Sequence, residues 1–312
     1  MLSIDISIII ATCNRGKILW ETVAKACTAI ENKNAEIIVV NDGDSVLEIP
    51  LLLRNKFEYF DNPKRGVSSA RNLGAQKARG LVLFFIDDDM WINCEAIDWI
   101  YLTMVKNNHT GMVFNINWEY PNTLTRNLLK SKVGQYILST GYNTMWGRMH
   151  ERGKAPSSGL YRFYTIASCS LVLEKELFFR IGKYNESIIF QGEDTDLTYR
   201  LNSLSIEIFS VFDVTLFHNH QDRLNIDGFL ARLSNGYTSE FKAVKNGLII
   251  SSNFKSYKGS KKIIFEFFRI TEKIWIFINW AIPNISIMKS FNNRLIGILA
   301  GLQRYKAWCK YY

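Results

Sequence analysis

Three adjacent carboxylates, Asp87, Asp88 and Asp89, close the apolar run Leu83-Phe84-Phe85-Ile86. Three like charges side by side repel one another. A hard divalent cation relieves this by taking oxygen ligands while leaving positions open for phosphate. A solvated acidic turn accommodates the same triplet with water alone, so both readings stand on this segment by itself. A second acidic knot, Gly192-Glu193-Asp194-Thr195-Asp196, lies where a helix should begin. Asp194 or Thr195 can cap that helix, and acids in its first turn answer the helix dipole. The other use of the knot is a carboxylate held as general base toward a hydroxyl. His218 and His220 flank Asn219 at the end of a late apolar stretch. On a continued strand both rings point to one side, where a neutral imidazole completes a metal site begun by the aspartates. Two packing histidines have the same spacing.

Further polar residues follow other apolar runs. Thr12 and Arg15 come after the first, and Asp42 ends the second within Asn41-Asp42-Gly43-Asp44, which is also a sound turn sequence. Arg71 stands in Gly66-Val67-Ser68-Ser69-Ala70-Arg71-Asn72-Leu73-Gly74. A single arginine is commonly a surface residue, but one facing the triple-aspartate end suits a diphosphate.

The elements that must position these groups alternate. Residues 6–11 and 36–40 are continuous apolar runs, as expected of parallel strands buried on both faces. Residues 57–60 make a short third strand and 81–86 a fourth, with helices predicted over 17–30 and 67–79. This alternation predicts a doubly wound, mostly parallel α/β sheet flanked by helices, whose ligands bind beyond the carboxyl ends of the strands. Thr12 and Arg15, Asp42, the three aspartates and the two histidines all follow such an end. Residues 120–165 read as an irregular basic, aromatic segment broken by Gly141, Gly147, Gly153, Pro156 and Gly159, and containing Arg148, Arg152 and Lys154. A strand over 165–173, a helix near 174–181, a helix over 196–204 and a closing strand over 206–216 follow. From about residue 224 the chain is mostly helical.

Five widely spaced cysteines without a Cys-x-x-Cys pair exclude a disulfide framework and a structural zinc site and point to a reducing compartment. The first strand begins within a few residues of Met1 with no basic start or cleavage site, so it is expected to be a strand and not a signal peptide. Charge is uneven. From residue 221 onward there are 15 Lys/Arg, Arg223 and Lys255 among them, against 5 Asp/Glu, while the whole chain carries 38 against 29. The tail is therefore the basic part. Its most apolar stretch, residues 274–288, falls short of the roughly 20 residues a membrane span needs. Interleaved aromatics and lysines predict helices lying on an anionic membrane surface, or else packing on the rest of the chain or on a second copy.

Taken in order, these pieces resemble the family 2 glycosyltransferases of GT-A fold. The stretches that carry the resemblance are Ser7 through Arg15, Ile37 through Gly43, Gly66 through Gly80, Phe85-Ile86-Asp87-Asp88-Asp89, Gly182-Lys183-Tyr184-Asn185-Glu186 and Gly192 through Leu197, with Arg200 behind. The resemblance covers about residues 4–220 and leaves the tail outside. It implies a nucleotide-sugar-binding and catalytic domain over 1–220 and a helical extension over 221–312 for membrane association or dimerisation. By position it implies donor contacts from Thr12, Asn14, Arg15, Asp42, Arg71, Asp87 and Asp88. It further implies Mn2+ or Mg2+ bound by Asp89 and Asp87 with His218 or His220, a base at Asp194, and Glu193 beside it toward the acceptor. The family's Gly-Gly-Phe-Asp-Glu element reads Gly182-Lys183-Tyr184-Asn185-Glu186 here.

The implied reaction is inverting sugar transfer from a nucleotide-diphosphate sugar, with UDP preferred over dTDP and GDP, to a hydroxyl of a growing glycan, lipid-linked in a bacterial envelope pathway. The location implied is cytoplasmic, on the inner face of the membrane. A sugar-nucleotide pyrophosphorylase would need a glycine-rich loop after the first strand, where only Gly16 stands. A catalytically silent relative would be expected to have lost one of Asp42, Arg71, Asp87, Asp89 or Asp194. The donor-site motifs leave no place for nucleic acid as the partner of the basic tail.

Overall fold

The computed structural model describes residues 4–149, 155–189, 191–220, 225–248 and 257–312. Arg152, Lys154, Arg223 and Lys255 lie outside them. The chain begins β1 (Ile6–Thr12), α1 (Gly16–Ala29), β2 (Ala35–Asn41), β3 (Glu58–Asp61), α2 (Val67–Lys77), β4 (Val82–Asp87). Next come β5 (Met90–Trp91), α3 (Cys94–Ile100) running into a π-helical turn at Tyr101–Lys106, and β6 (Val113–Glu119). Three helices follow, α4 (Asn122–Leu128), α5 (Lys132–Ser139) and α6 (Met145–Met149), then β7 (Leu160–Phe163), β8 (Ser170–Glu174), α7 (Lys175–Arg180), α8 (Glu193–Ser203) and β9 (Ile208–His218). The chain ends in α9 (Ile226–Lys245), α10 (Gly259–Ile270), α11 (Glu272–Ala281) and α12 (Lys289–Cys309).

Two compact units result: Met1–Glu119 with Gly153–Asn219, and Tyr120–Arg152 with His220–Tyr312. The first holds one sheet in the order β3-β2-β1-β4-β8-β6-β9-β5, with β7 also paired to β9. β3, β2, β1 and β4 are parallel, as the apolar runs predict. Beyond β4 the sheet is mixed, because β8 runs antiparallel to both β4 and β6. β6 and β9 are parallel, with a register shift between Ile116 and Asn117: Ile116 faces Val211, but Asn117 faces Thr215. The extra residues of β9 serve the loop before β7, where Phe212 N–H donates to the Gly159 carbonyl and Asp213 accepts from the Gly159 N–H. Ile8, Ile9, Ile10, Phe84 and Phe85 are fully buried in the centre of this sheet.

Within the stretch 120–165 expected to be irregular, α4, α5 and α6 lie between residues 122 and 149, and residues 160–163 form β7. Ser131 caps α5 by accepting from the Gly134 N–H, and Gly147, read as a breaker, is instead a site of close packing within α6, as is Gly134 within α5. A Cβ on Gly134 would lie 2.2 Å from the Leu128 carbonyl oxygen, and one on Gly147 would lie 2.1 Å from that of Gly141. The strand expected from residue 165 starts only at Ser170, and the helix expected from 196 starts at Glu193, so the acidic knot is its first turn. In the second unit α12 packs along α5 and α9, burying Leu295, Ile296 and Leu299. Tyr257, Leu302 and Tyr305 form a small core against which Phe265, Phe268 and Trp308 pack.

Candidate active site

Strand ends deliver the first cluster. Thr12, the last residue of β1, donates from Oγ1 to Asp88 Oδ2 at 2.7 Å, and Thr22 of α1 donates to the Asp88 carbonyl at 2.8 Å. Arg15 grips two of the three aspartates: Nη1 bonds Asp88 Oδ1, and Nη2 bonds Asp89 Oδ2 at 2.8 Å. Asp88 and Asp89 are buried. Burial, reinforced by the Asp89 charge, pushes the Asp88 carboxyl up to about 7 against the pull of Arg15 and Thr12.

Arg71 organises the second cluster. It is buried on α2, donating from Nη2 to Asp87 Oδ1 at 2.9 Å and from Nη1 to Glu193 Oε1 at 3.0 Å, with its guanidinium 5.5 Å from the Tyr184 ring centre. Burial works against its charge, but Tyr184, Asp87, Glu193 and Asp194 more than restore it and hold Arg71 above its usual value. Glu193 Oε2 is buried and has no hydrogen-bond partner among the described residues. Asp194 accepts from the Ser168 hydroxyl at Oδ1 and from the Ser168 N–H at 3.3 and 3.4 Å. The Ser168 hydroxyl in turn lies 2.7 Å from the Tyr184 hydroxyl. Burial, then the neighbouring Glu193 charge, pushes Asp194 up to about 7, with Arg71 and Ser168 pulling the other way.

The third grouping is that of metal-ligand types. His218 ends β9, pairs with Met90 of β5, and brings Nε2 within 2.9 Å of Asp89 Oδ1; its ring stands edge-on to Trp118 at 4.8 Å. The Asn219 N–H donates to the Asp89 carbonyl at 2.7 Å and holds the strand end there. His220, two residues on, opens the second unit. Asp89 and His218 are both buried and set a carboxylate oxygen and an imidazole nitrogen side by side. Donors around one six-coordinate ion at ~2.1 Å stand about 3 Å apart, so the Asp89–His218 separation fits a shared cation. A hard carboxylate beside an imidazole also suits a first-row divalent metal.

Not every residue expected at the site faces these clusters with a free group. The Asp42 carboxylate accepts from the Gly66 N–H at 2.9 and 3.1 Å and from Asn62 at 2.7 Å, fixing the start of α2. Asn14 holds a left-handed backbone at φ 57° and is exposed. Sequence reasoning missed Ser168, Thr22 and Trp118, which no motif marks. Tyr184 was within reach, since it stands in the quoted element where the family pattern has phenylalanine, and the added hydroxyl is what meets Ser168.

The family model for glycosyl transferase family 2 matches residues 7–168, about half of the chain. The chain belongs to glycosyl transferase family 2. Similar proteins include EpsH of Bacillus subtilis, a glycosyltransferase by name, 32% identical over 104 residues that make up 30% of this chain and 29% of that one. An uncharacterized glycosyltransferase of Rickettsia conorii is 29% identical over 145 residues, 43% of this chain and 24% of its own. GlyA of Streptococcus pneumoniae is 30% identical over 79 residues, 24% and 11%. The chain thus spans under a third of the length of these curated relatives. Among solved structures, GalNAc-T7 with UDP, GalNAc and Mn2+ superposes with a TM-score of 0.53 at 17% identity, covering 99% of this chain and 58% of that one. The Pyrobaculum calidifontis mannosyltransferase PcManGT with GDP-Man and Mn2+ gives 0.51 at 11% identity, covering 95% and 73%. These likenesses establish the GT-A fold.

Within this family 2 member the departing element has its own local solution. Gly182 and Lys183 both take left-handed backbones, at φ 86° and 61°, and their N–H groups bond the carbonyls of Phe179 and Phe178 to end α7. Lys183 carries a side chain where the family pattern has a second glycine. Asn72, next to Arg71, bonds the Tyr184 backbone from both amide atoms at 3.0 and 3.1 Å and so ties α2 to this turn.

Proposed function

We propose that this chain transfers a sugar from a nucleotide-diphosphate sugar, UDP-linked by preference, to a hydroxyl of a growing glycan, inverting the anomeric carbon. One observation carries the reading. Arg71 joins Asp87, on the donor side, to Glu193, whose neighbour Asp194 is a half-buried carboxylate held near neutrality. A base and a donor-binding edge therefore share one rigid cation.

The acceptor oxygen attacks the anomeric carbon from the face opposite the diphosphate, and its proton passes to Asp194. The bond to the diphosphate oxygen breaks, and the nucleoside diphosphate leaves with the electron pair. Glu193 Oε2, unpaired in its buried place, accepts from an acceptor hydroxyl. A single displacement with one base gives inversion without a nucleophilic carboxylate. Thr12, Arg15 and Asp88 shape the nucleoside end, with Asn14 and Asp42 at its margin. Asp89 and His218, with Asp87 next to them and His220 as the alternative imidazole, would hold Mn2+ in preference to Mg2+, since imidazole favours the softer ion. Such a cation supplies charge stabilisation to the departing diphosphate.

Among the described residues no helix is long and apolar enough to cross a membrane. The basic tail supports a peripheral place on the anionic inner face of a bacterial cytoplasmic membrane, acting on a lipid-linked envelope glycan. Calorimetry with UDP, dTDP and GDP, each with and without Mn2+, tests the donor site. Tight binding of one nucleotide that needs both the metal and Asp89 is expected. Binding by none, or binding unaffected by Asp89→Ala, would overturn it.

A further inference from the structure

The α10–α11 edge of the second unit divides its side chains by chemistry. Ile263, Phe267 and Ile270 on α10, and Ile274, Phe277 and Trp280 on α11, each recur every three or four residues, the spacing of one face of their helix. Each is 56–79% exposed, and no residue of α10 is buried. Monomeric proteins rarely leave so much large apolar surface to water unless something covers it.

The charges sort just as clearly. Both acids of these helices are engaged: Glu266 accepts from the Tyr305 hydroxyl at 2.5 Å and from Arg269 Nε at 2.8 Å, and Glu272 pairs with Lys306 at 3.0 Å and Gln303 at 3.1 Å. The lysines stay out. Lys261, Lys262, Arg269 and Lys273 are all exposed beside the apolar stripe. Apolar and cationic groups therefore dominate this surface, with Asp227 the exposed acid beside Phe277 and Trp280. A second copy seated across a two-fold axis would set these cations against their own images, which costs energy. An anionic bilayer answers both, taking the apolar side chains below the headgroups and the lysines among the phosphates.

We infer that the α10–α11 stripe is an insertion surface for an anionic phospholipid monolayer, with Phe277 and Trp280 as its deepest side chains. This rests on the peripheral location proposed above and adds the surface that makes it. The test is co-sedimentation of the full chain with vesicles of phosphatidylcholine alone and of equal parts phosphatidylcholine and phosphatidylglycerol. Wild type is expected on the anionic vesicles. Phe277→Ser with Trp280→Ser should weaken that binding at least roughly tenfold, from the apolar area lost. Lys262→Glu with Lys273→Glu should remove the preference for phosphatidylglycerol. Both pairs sit on exposed positions, so thermal melting and donor hydrolysis should match wild type. If wild type binds and the apolar pair binds equally, the stripe is not the surface, although the peripheral location stands. If wild type binds neither vesicle, both readings fall. If the apolar pair instead turns a dimer into a monomer in sedimentation without lipid, a second copy covers the stripe and the inference is overturned.

Discussion

The Tyr184 hydroxyl lies 2.7 Å from Ser168 Oγ, and Ser168 uses its own proton to bond Asp194. With that proton spent, Tyr184 must be the donor to Ser168, and burial, which raises Tyr184, keeps it protonated. The relay stabilises the carboxylate form of Asp194. Ser168→Ala should raise the apparent pKa of the base by about one unit, the worth of a hydrogen bond to a charged group. Tyr184→Phe, which restores the family's residue, should raise it by less. The check is the pH dependence of kcat/KM: a displaced acidic limb with an unchanged plateau marks positioning, whereas a uniform fall at every pH marks structural damage.

Wild type should show its own acidic limb near pH 7, where burial and Glu193 hold Asp194. Below that value Asp194 is protonated and cannot take the acceptor proton. Transfer should therefore fall about tenfold per unit on the acid side and level off above it. Asp194→Asn should lower kcat by ~100-fold or more while leaving nucleotide binding in place. A flat profile from pH 5 to 9 would remove Asp194 from this role.

Asp89 and His218 should contribute to metal affinity together. Stripping divalent ions with a chelator should abolish nucleotide binding, and Mn2+ should restore it better than Mg2+. Asp89→Ala or His218→Ala should each weaken Mn2+ binding by more than roughly tenfold in calorimetry, since each removes a ligand. Equal rescue of wild type and both variants by Mn2+ would place the ion elsewhere.

Two backbone predictions concern stability alone. Lys183→Gly should stabilise the chain by about 0.5–1 kcal/mol, because glycine holds the left-handed conformation without the steric cost of a Cβ. Gly134→Ala should destabilise it by about 1–3 kcal/mol, because the new methyl would press on the Leu128 carbonyl. Denaturant unfolding measures both.

Local pattern reaches part of this molecule. The buried runs that became β1, β2 and β4 were legible because a strand covered on both faces needs only apolar side chains, and the polar residues at their ends followed. Residues 90–119 were not. β5 has two residues, Met90 and Trp91, and exists only because β9 passes beside it. β6 carries Asn115 and Asn117, whose side chains bond the Thr165 carbonyl and the Thr215 hydroxyl, so polar residues interrupt a strand that long-range contacts complete. The antiparallel course of β8 depends on where the chain returns and leaves no mark in its own residues. At the site, charged residues announced themselves as clusters. Ser168 did not, because one serine acquires its role only when α8 brings Asp194 to it.

The offset between β6 and β9 bears on which variation the site can tolerate. Ile116 faces Val211 and the next residue faces Thr215, so the stretch between decides which side of the sheet each later residue of β9 takes. Removing or adding one residue there would invert that alternation and turn His218 from Asp89 toward the opposite face. Substitutions at Phe212 or Val214 preserve the count and so preserve the aim. Histories of this gene should therefore permit changes of letter within 212–214 far more readily than changes of length.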